Sequence, residues 1–321
     1  MIDATEHKAE RAEPLTPAAA DTARARKPHA YVLMTAAHNE EADIERTIQS
    51  VLAQTIRPVR WLIVSDNSTD RTNEIVQRYA DQNSFICFHR VTRAPGRDFA
   101  SKIVALHSGE HLLQGADYDF IGNMDADLSV EPTYFEDLLR QFELRPRLGL
   151  AGGFVYEESN GKFESRSVNR VYSVAHAAQL VRRECYESFG GYAVLRYGGE
   201  DWHAQTSTRM MGWEAESIPE LKIFHHRPTG GATSFYRSAF RLGKLDYSFG
   251  TYPLFQLIKC GGRLLQGPFI IGAVVRMAGF MDSYLRREPF LISPELVAYL
   301  RTEQKDRMLS IFRRSSSTSN T

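Results

Sequence analysis

Short apolar runs and amphipathic stretches alternate along the first half of this chain. Residues 31 to 37 (YVLMTAA) and 59 to 65 (VRWLIVS) are rich in Val, Ile, Leu and aromatics, and each is followed by polar positions, the pattern of a buried strand. Between them, Glu41 to Gln54 sets Ile44, Ile48, Val51 and Leu52 at helical spacing. The unit then repeats. Thr69 to Tyr79 carries Ile75, Val76 and Tyr79 on one helical face, Ile86 to Val91 is strand-like, and Ala100 to Leu113 is helical with Ile103, Ala105, Leu106 and Leu112. This alternation predicts an α/β fold: a Rossmann-type, mostly parallel sheet with helices on both faces. It weakens after residue 150, where Gly149 to Tyr156 and Ser217 to His225 read as strands and Asp201 to Met211 as a helix.

Residues 118 to 129 (YDFIGNMDADLS) form a strand that runs into acidic positions, followed by Pro132 and a helix from Thr133 to Leu144. In open α/β sheets ligands gather beyond the carboxyl ends of strands, and the polar motifs of this chain fall there. Asp125 and Asp127, two apart, point to the same side and can share a divalent cation, magnesium or manganese, directly or through a bound diphosphate. Asp-x-Asp is equally ordinary turn chemistry, so the pair acquires meaning only from its company.

Composition narrows the classes. Lysine plus arginine equals aspartate plus glutamate at 39 each, which gives no electrostatic reason to expect nucleic-acid binding. Cys87, Cys185 and Cys260 are odd in number and widely spaced, which argues against a disulfide framework or zinc ribbon and for a reducing, cytosolic setting. Residues 1–29 hold no apolar run and are expected to be a disordered leader, and residues 313–321, two arginines and a Ser/Thr/Asn run, a disordered tail.

The company of the acidic pair is a series: TAAHNEE (35 to 41), DNSTD (66 to 70), DAD (125 to 127), FGGY (189 to 192), GGED (198 to 201) and the histidines 225 and 226. In order and spacing this series resembles glycosyltransferase family 2, whose catalytic domain has the GT-A fold, over about residues 31 to 230. The resemblance implies a GT-A-like domain at 30–235 that uses a nucleotide-sugar donor, with inversion. The family's usual Pro-Ala-Tyr-Asn-Glu reads here Ala36-Ala37-His38-Asn39-Glu40, two departures. By resemblance, His38 stacks on the nucleobase, Glu40 reaches the ribose, Asp66 bonds the base edge, and Lys102 opposes the diphosphate charge. The plainer alternatives are that Asn39 and Glu41 cap the next helix, that Ser68 and Thr69 cap theirs, and that Lys102 is a solvated helix lysine. Asp201 matches the family's catalytic base, with Gly191 and Glu200 on the acceptor side; two glycines also suit a plain turn, and two acids suit any helix start. A helix start lowers an aspartate's pKa and weakens it as a base. Alternation sets His225 on the face of Leu221 and Ile223, where it can complete a metal site with Asp125 and Asp127, with a packed histidine as the alternative. The Gln-x-x-Arg-Trp motif of the family's processive synthases is replaced by His226-Arg227-Pro228-Thr229, which points to single-sugar transfer. The rivals are a metal-dependent nucleotidyltransferase, which releases pyrophosphate, and a non-catalytic nucleotide-binding scaffold.

The texture changes again over 236–312. Tyr236 to Arg287 holds eight basic residues against two acidic, together with the apolar run PFIIGAVVRMAGFMDSYL. Arg276 and Asp282 interrupt that run, which falls short of the roughly 20 residues of a spanning helix. The expectation is a C-terminal helical, membrane-associating segment at the inner face of the cell membrane. Its arginines would meet anionic lipid, and Phe269, Ile270, Val274, Phe280 and Tyr284 would face the acyl chains. A core helix or a dimer interface is the alternative, and a lipid-linked or glycan acceptor would give the membrane contact its purpose.

Overall fold

The structure, a computed structural model, describes residues 30–92, 100–159, 161–227, 235–264 and 270–317. The expected leader, Phe269 and the last four residues of the expected tail lie outside these. The chain opens with strand β1 (Tyr31–Ala37), helix α1 (Ile44–Leu52), strand β2 (Arg60–Asp66), helix α2 (Thr72–Gln82) and strand β3 (Ile86–Val91). Helix α3 (Ser101–Gly109) ends in one 3₁₀ turn, Glu110–Leu113, before β4 (Phe120–Met124) and the short β5 (Leu128–Val130). Helix α4 (Tyr134–Leu144) leads into β6 (Leu148–Ser159), β7 (Lys162–Ser165) and β8 (Ala178–Arg182). Then come α5 (Arg183–Ser188), α6 (Glu200–Met210) and β9 (Glu214–His225).

The strands join in one sheet in the order β3-β2-β1-β4-β8-β6-β9-β5, with β7 hairpinned onto β6. β1, β2, β3 and β4 are mutually parallel, as the alternating pattern predicts. The expectation of a mostly parallel sheet holds in part: β6 and β9 pair in parallel and run the same way as β1 to β4, but antiparallel strands are set among them. β8 runs antiparallel to both β4 and β6, and β5 runs antiparallel to β9, so the whole sheet is mixed. β7, four exposed and mostly polar residues, and β8, only five residues long, do not announce themselves in sequence; pairing with β6 makes them strands.

Helices cover both faces. Tyr31 and Leu33 of β1 pack with Ile44, Ile48 and Val51 of α1 and Phe135, Leu138 and Phe142 of α4, while Val32 and Met34 face Ile103 and Leu106 of α3 and Ala204 of α6. Because successive residues of a strand point to opposite faces, β1 must be apolar throughout, and its residues 31 to 34 are essentially inaccessible.

The C-terminal region folds into α7 (Phe235–Ser248), α8 (Pro253–Leu264), α9 (Ile270–Leu285) and α10 (Pro294–Ser317). Helix α10 runs on through residues 313–317, where a disordered tail was expected. Helices α7 and α9 cross with almost no gap. A Cβ on Gly243 would stand 1.9 Å from the Arg276 carbonyl oxygen, and one on Gly279 would stand 2.0 Å from that of Phe240. Beside this crossing Asp246, 1% exposed, accepts from Arg276 Nε at 2.6 Å and Nη2 at 2.9 Å, from Lys259 Nζ at 2.8 Å and from Gln256 Nε2 at 2.9 Å. Burial raises the Asp246 carboxyl, but the two cations outweigh it and hold it below its ordinary value.

Two parts of the membrane expectation are therefore corrected. Arg276 points inward to Asp246, and Phe280 is buried at 1% exposure against Tyr247, because both sit on the α9 face that packs on α7. Ile270, Ile271, Val274 and Leu285 do face outward, and no helix among the described residues is long and apolar enough to cross a membrane. Asp246→Ala is expected to destabilise the chain by about 3–5 kcal/mol, because it leaves Arg276 and Lys259 uncompensated. Chemical denaturation followed by circular dichroism checks it.

Candidate active site

The ends of β1 and β2 turn through two residues in the left-handed region, Asn39 at φ 56° and Asn67 at φ 52°, a conformation that asparagine tolerates better than most residues. The two loops are laced together. Asn39 Oδ1 accepts from Thr69 N at 2.8 Å, Glu41 Oε2 accepts from Arg71 N at 3.1 Å, and Ser68 Oγ accepts from Asn39 N at 3.1 Å. Asn39 and Glu41 thus clamp the β2–α2 loop instead of capping α1, and Ser68 and Thr69 do not cap α2. His38 Nδ1 lies 2.5 Å from the Asp66 carbonyl oxygen, which only accepts, so Nδ1 carries the proton. This bond ties the end of β1 to that of β2 and brings His38, Glu40 and Asp66 to one side of the sheet.

Asp127 reaches the same edge by a different route. Thr47 Oγ1 of α1 lies 2.8 and 2.7 Å from the carbonyl oxygens of Ala126 and Leu128, which holds the turn between β4 and β5. Pairing of β5 with β9 seats Leu128 opposite His225. Asp127 Oδ2 therefore meets His225 Nε2 at 3.1 Å and Arg227 Nη2 at 2.7 Å, and Arg227 Nη2 also bonds Glu40 Oε1 at 3.1 Å. The His226 ring points elsewhere, to Ser129 Oγ at 2.7 Å, so of the two imidazoles only that of His225 meets an Asp127 carboxylate oxygen.

Asp125 pairs with Lys102 of α3, whose Nζ also donates to the His176 carbonyl at 3.0 Å. Lys102 is thus a paired residue of the cleft, not a solvated one. Asp201, at the first turn of α6, is within electrostatic reach of the same lysine. Gly199 precedes α6 at φ 94°, where an L side chain would be strained and its Cβ would meet Leu245 at 2.9 Å. Gly191 serves a turn: at φ 80° it closes the end of α5 through its N–H to the Tyr186 carbonyl at 3.0 Å, and it delivers the buried Tyr192.

Burial dominates the electrostatics of these acids. It pushes Glu40 up to about 7 against the pull of Arg227. Burial, then the charge of Glu200, raises Asp201 to about 6, so the expected lowering by the helix start is overturned. Asp127 lies below its ordinary value, because bonds to His225 and Arg227 and their charges overcome its burial. Burial opposes a charge on His225, yet the Asp127 bond and the acids around it raise its pKa.

Asp127 Oδ2 and His225 Nε2 stand 3.1 Å apart, close to the roughly 3 Å between adjacent ligands of an octahedral cation with bonds near 2.1 Å. Among the described residues no group of three or more His, Cys, Asp and Glu side chains could hold a metal. The pair fits a cation that takes its remaining ligands from water or a bound diphosphate.

Three participants escaped the sequence reading. Arg227 appeared there only as a departure from a motif, yet it bridges Glu40 and Asp127 across 187 and 100 positions. Asn123 donates to the His176 carbonyl at 2.9 Å, and its place two before Asp125 on one strand was the signal available. His176, 7% exposed with its ring edge-on to Tyr192 at 4.4 Å, left no trace in the pattern.

A sequence model of Glycosyl transferase family 2 matches residues 33–241, from the first strand through the histidine pair and into α7. The chain belongs to glycosyl transferase family 2. Poly-beta-1,6-N-acetyl-D-glucosamine synthase of Staphylococcus aureus (strain COL) is 28% identical to it over 120 residues, 37% of this chain and 27% of that one. The match thus spans little more than a quarter of that relative's length. The putative glycosyltransferase EpsH of Bacillus subtilis (strain 168) is 26% identical over 144 residues, 44% of this chain and 39% of that one. Among solved structures, the mannosyltransferase PcManGT from Pyrobaculum calidifontis, in complex with GDP-Man and Mn2+, superposes with a TM-score of 0.53 at 17% identity. That alignment covers 90% of this chain and 83% of that one. The GT-A-like arrangement of this family member is thereby placed beside solved glycosyltransferases; at this identity the likeness concerns the fold alone.

Proposed function

We propose that this family 2 member moves one sugar from a nucleoside-diphosphate sugar to a hydroxyl of a lipid-linked or glycan acceptor, in polysaccharide or glycoconjugate assembly. The observation that carries the reading is convergence: Glu40, Asp66, Lys102, Asp125, Asp127, Asp201 and His225 come from separate elements to the carboxyl edge of one sheet. In this reading the His38 ring stacks on the nucleobase, Asp66 bonds its edge, Glu40 takes the ribose hydroxyls, and Lys102 and Asp125 hold the sugar-diphosphate end. Gly191 and Glu200 shape the acceptor side.

Asp201 removes the proton of the acceptor hydroxyl. The oxygen then attacks the anomeric carbon from the face opposite the diphosphate, the bond to the leaving oxygen breaks, and the nucleoside diphosphate departs with the electron pair, inverting the centre. A base near 6 is ionised at neutral pH yet still basic enough to pull a proton. Asp127 and His225, with Asp125 alongside, would hold Mg2+ or Mn2+, which would supply positive charge against the departing diphosphate. The PcManGT structure, solved with Mn2+, supports that assignment by analogy of fold.

The setting proposed is cytoplasmic, peripheral to the inner face of the cell membrane, with the exposed apolar side chains of α8 and α9 as the contact. Incubation with UDP-, GDP- and dTDP-sugars, either metal and a membrane lipid extract is expected to give acceptor-stimulated release of nucleoside diphosphate. Release of pyrophosphate from nucleoside triphosphates would favour a nucleotidyltransferase instead, and donor binding without turnover in every combination a scaffold.

A further inference from the structure

A cavity of about 400 Å³ opens among the C-terminal helices, away from the residues assigned to sugar transfer. Tyr247, Tyr284 and Phe290 form its aromatic walls, and Arg287, Arg301 and Thr251 supply its polar groups. None of its eight lining residues is acidic.

Two of these polar groups are placed to meet a ligand, whereas the Thr251 hydroxyl is closed off from solvent. Arg301 donates Nε to the Gly250 carbonyl at 2.8 Å and lies over the Phe290 ring at 5.5 Å, which fixes the guanidinium at the cavity wall. Arg287 occupies an unusual place. Helix α9 ends with Glu288 N bonded to the Ser283 carbonyl at 3.1 Å and Arg287 N to that of Tyr284 at 3.2 Å, a helix stop whose left-handed position glycine normally fills. Here that position is Arg287, at φ 51°. A strained backbone that carries a long cation into a cavity is the mark of a side chain kept for binding. Neither arginine pairs with a carboxylate among the described residues, and the adjacent Glu288 is already bonded by Lys244, Tyr197 and Ser283.

The cavity mouth is apolar. Leu285, 73% exposed, and Pro253 complete the lining, and Leu254 and Leu257, each 60% exposed, follow Pro253 on α8. We propose that this cavity binds the phosphate headgroup of an anionic amphiphile. Arg287 and Arg301 hold the phosphate oxygens, and the apolar chain leaves past Leu285 and Pro253 toward Leu254 and Leu257. A phosphate is preferred to a carboxylate because two guanidinium groups offer more donors than two carboxylate oxygens use. The proposal deepens the membrane contact suggested above and takes its setting from it.

The experiment titrates the full chain with dihexanoyl phosphatidic acid below its micellar concentration, with dihexanoyl phosphatidylcholine and with inorganic phosphate, by calorimetry. Flotation with phosphatidylcholine vesicles, with and without phosphatidic acid, follows. Arg287→Gly is expected to weaken the soluble phosphatidic acid about tenfold or more while its thermal midpoint stays equal or rises, since glycine relieves the strained position. Arg286→Gly, beside the cavity but outside its lining, should leave it unchanged. Equal loss from Arg286→Gly would mean diffuse charge attraction and overturn the site, as would binding of phosphatidylcholine as tight as that of phosphatidic acid. Inorganic phosphate binding as tightly as the soluble lipid would overturn the amphiphile assignment. Soluble lipid bound through Arg287 with no flotation on any vesicle would uphold the cavity and sink the membrane contact.

Discussion

Asp201→Asn is expected to lower kcat for sugar transfer by about a thousandfold while leaving the donor KM within a few-fold of its original value, because asparagine keeps the shape but cannot take the proton. Transfer rate by the unsubstituted chain should rise with pH through about 6, as Asp201 loses its proton, and level off above. The sign follows from the role: a general base works only when ionised, so activity is lost as pH falls below its pKa. Burial is the main cause of the raised value and Glu200 the second. Glu200→Gln removes that negative neighbour and should shift the rising limb to lower pH with the plateau retained. A pH–rate profile at saturating donor, run beside the asparagine variant, checks both statements. An asparagine variant with near-normal turnover would remove Asp201 from the chemistry and send the search to another carboxylate.

Asp127→Asn carries the second large effect. Its carboxylate meets both His225 Nε2 and Arg227, whereas Asp125 is engaged by Lys102, Glu40 reaches only Arg227, and Glu157 approaches the other ring nitrogen of His225 at 3.7 Å. The amide cannot supply the charge a divalent cation needs, so turnover should fall about a hundredfold or more, with a parallel loss of Mn2+ affinity. Metal titration followed by the paramagnetic resonance of free Mn2+ reads the second quantity without any dependence on turnover. His225→Ala should weaken Mn2+ as well, whereas His226→Ala, whose ring meets Ser129, Phe163 and Glu158 but not the Asp127 carboxylate, should not. Equal Mn2+ affinity in the Asp127 variant and the original would place the cation, if one is used, on other ligands.

The difference between Asp125 and Asp127 shows how far spacing alone reaches. Two positions apart on one strand end, they were expected to act together on one cation. In the fold Asp125 is drawn to Lys102 of α3, and Asp127, held by the Thr47 clamp, is drawn to His225 at the end of β9. The shared direction was legible because strand geometry sets it locally; the separate partners were not, since each comes from an element far away in the chain.

The order of apolar and polar residues by itself determined the first five strand and helix units, the two-sided burial of β1 and β2, and the gathering of acids beyond the strand ends. These follow from local periodicity, where each residue's environment repeats every two or every 3.6 positions. Only the tertiary structure decided that β8 inserts antiparallel between β4 and β6, that Arg276 turns inward to Asp246, and that Arg227 bridges Glu40 and Asp127. Each of these is a contact between residues tens to nearly two hundred positions apart, chosen by which partner satisfies a buried charge or an unpaired strand edge. No window along the chain contains that information, because it resides in which distant segments the folded sheet brings face to face.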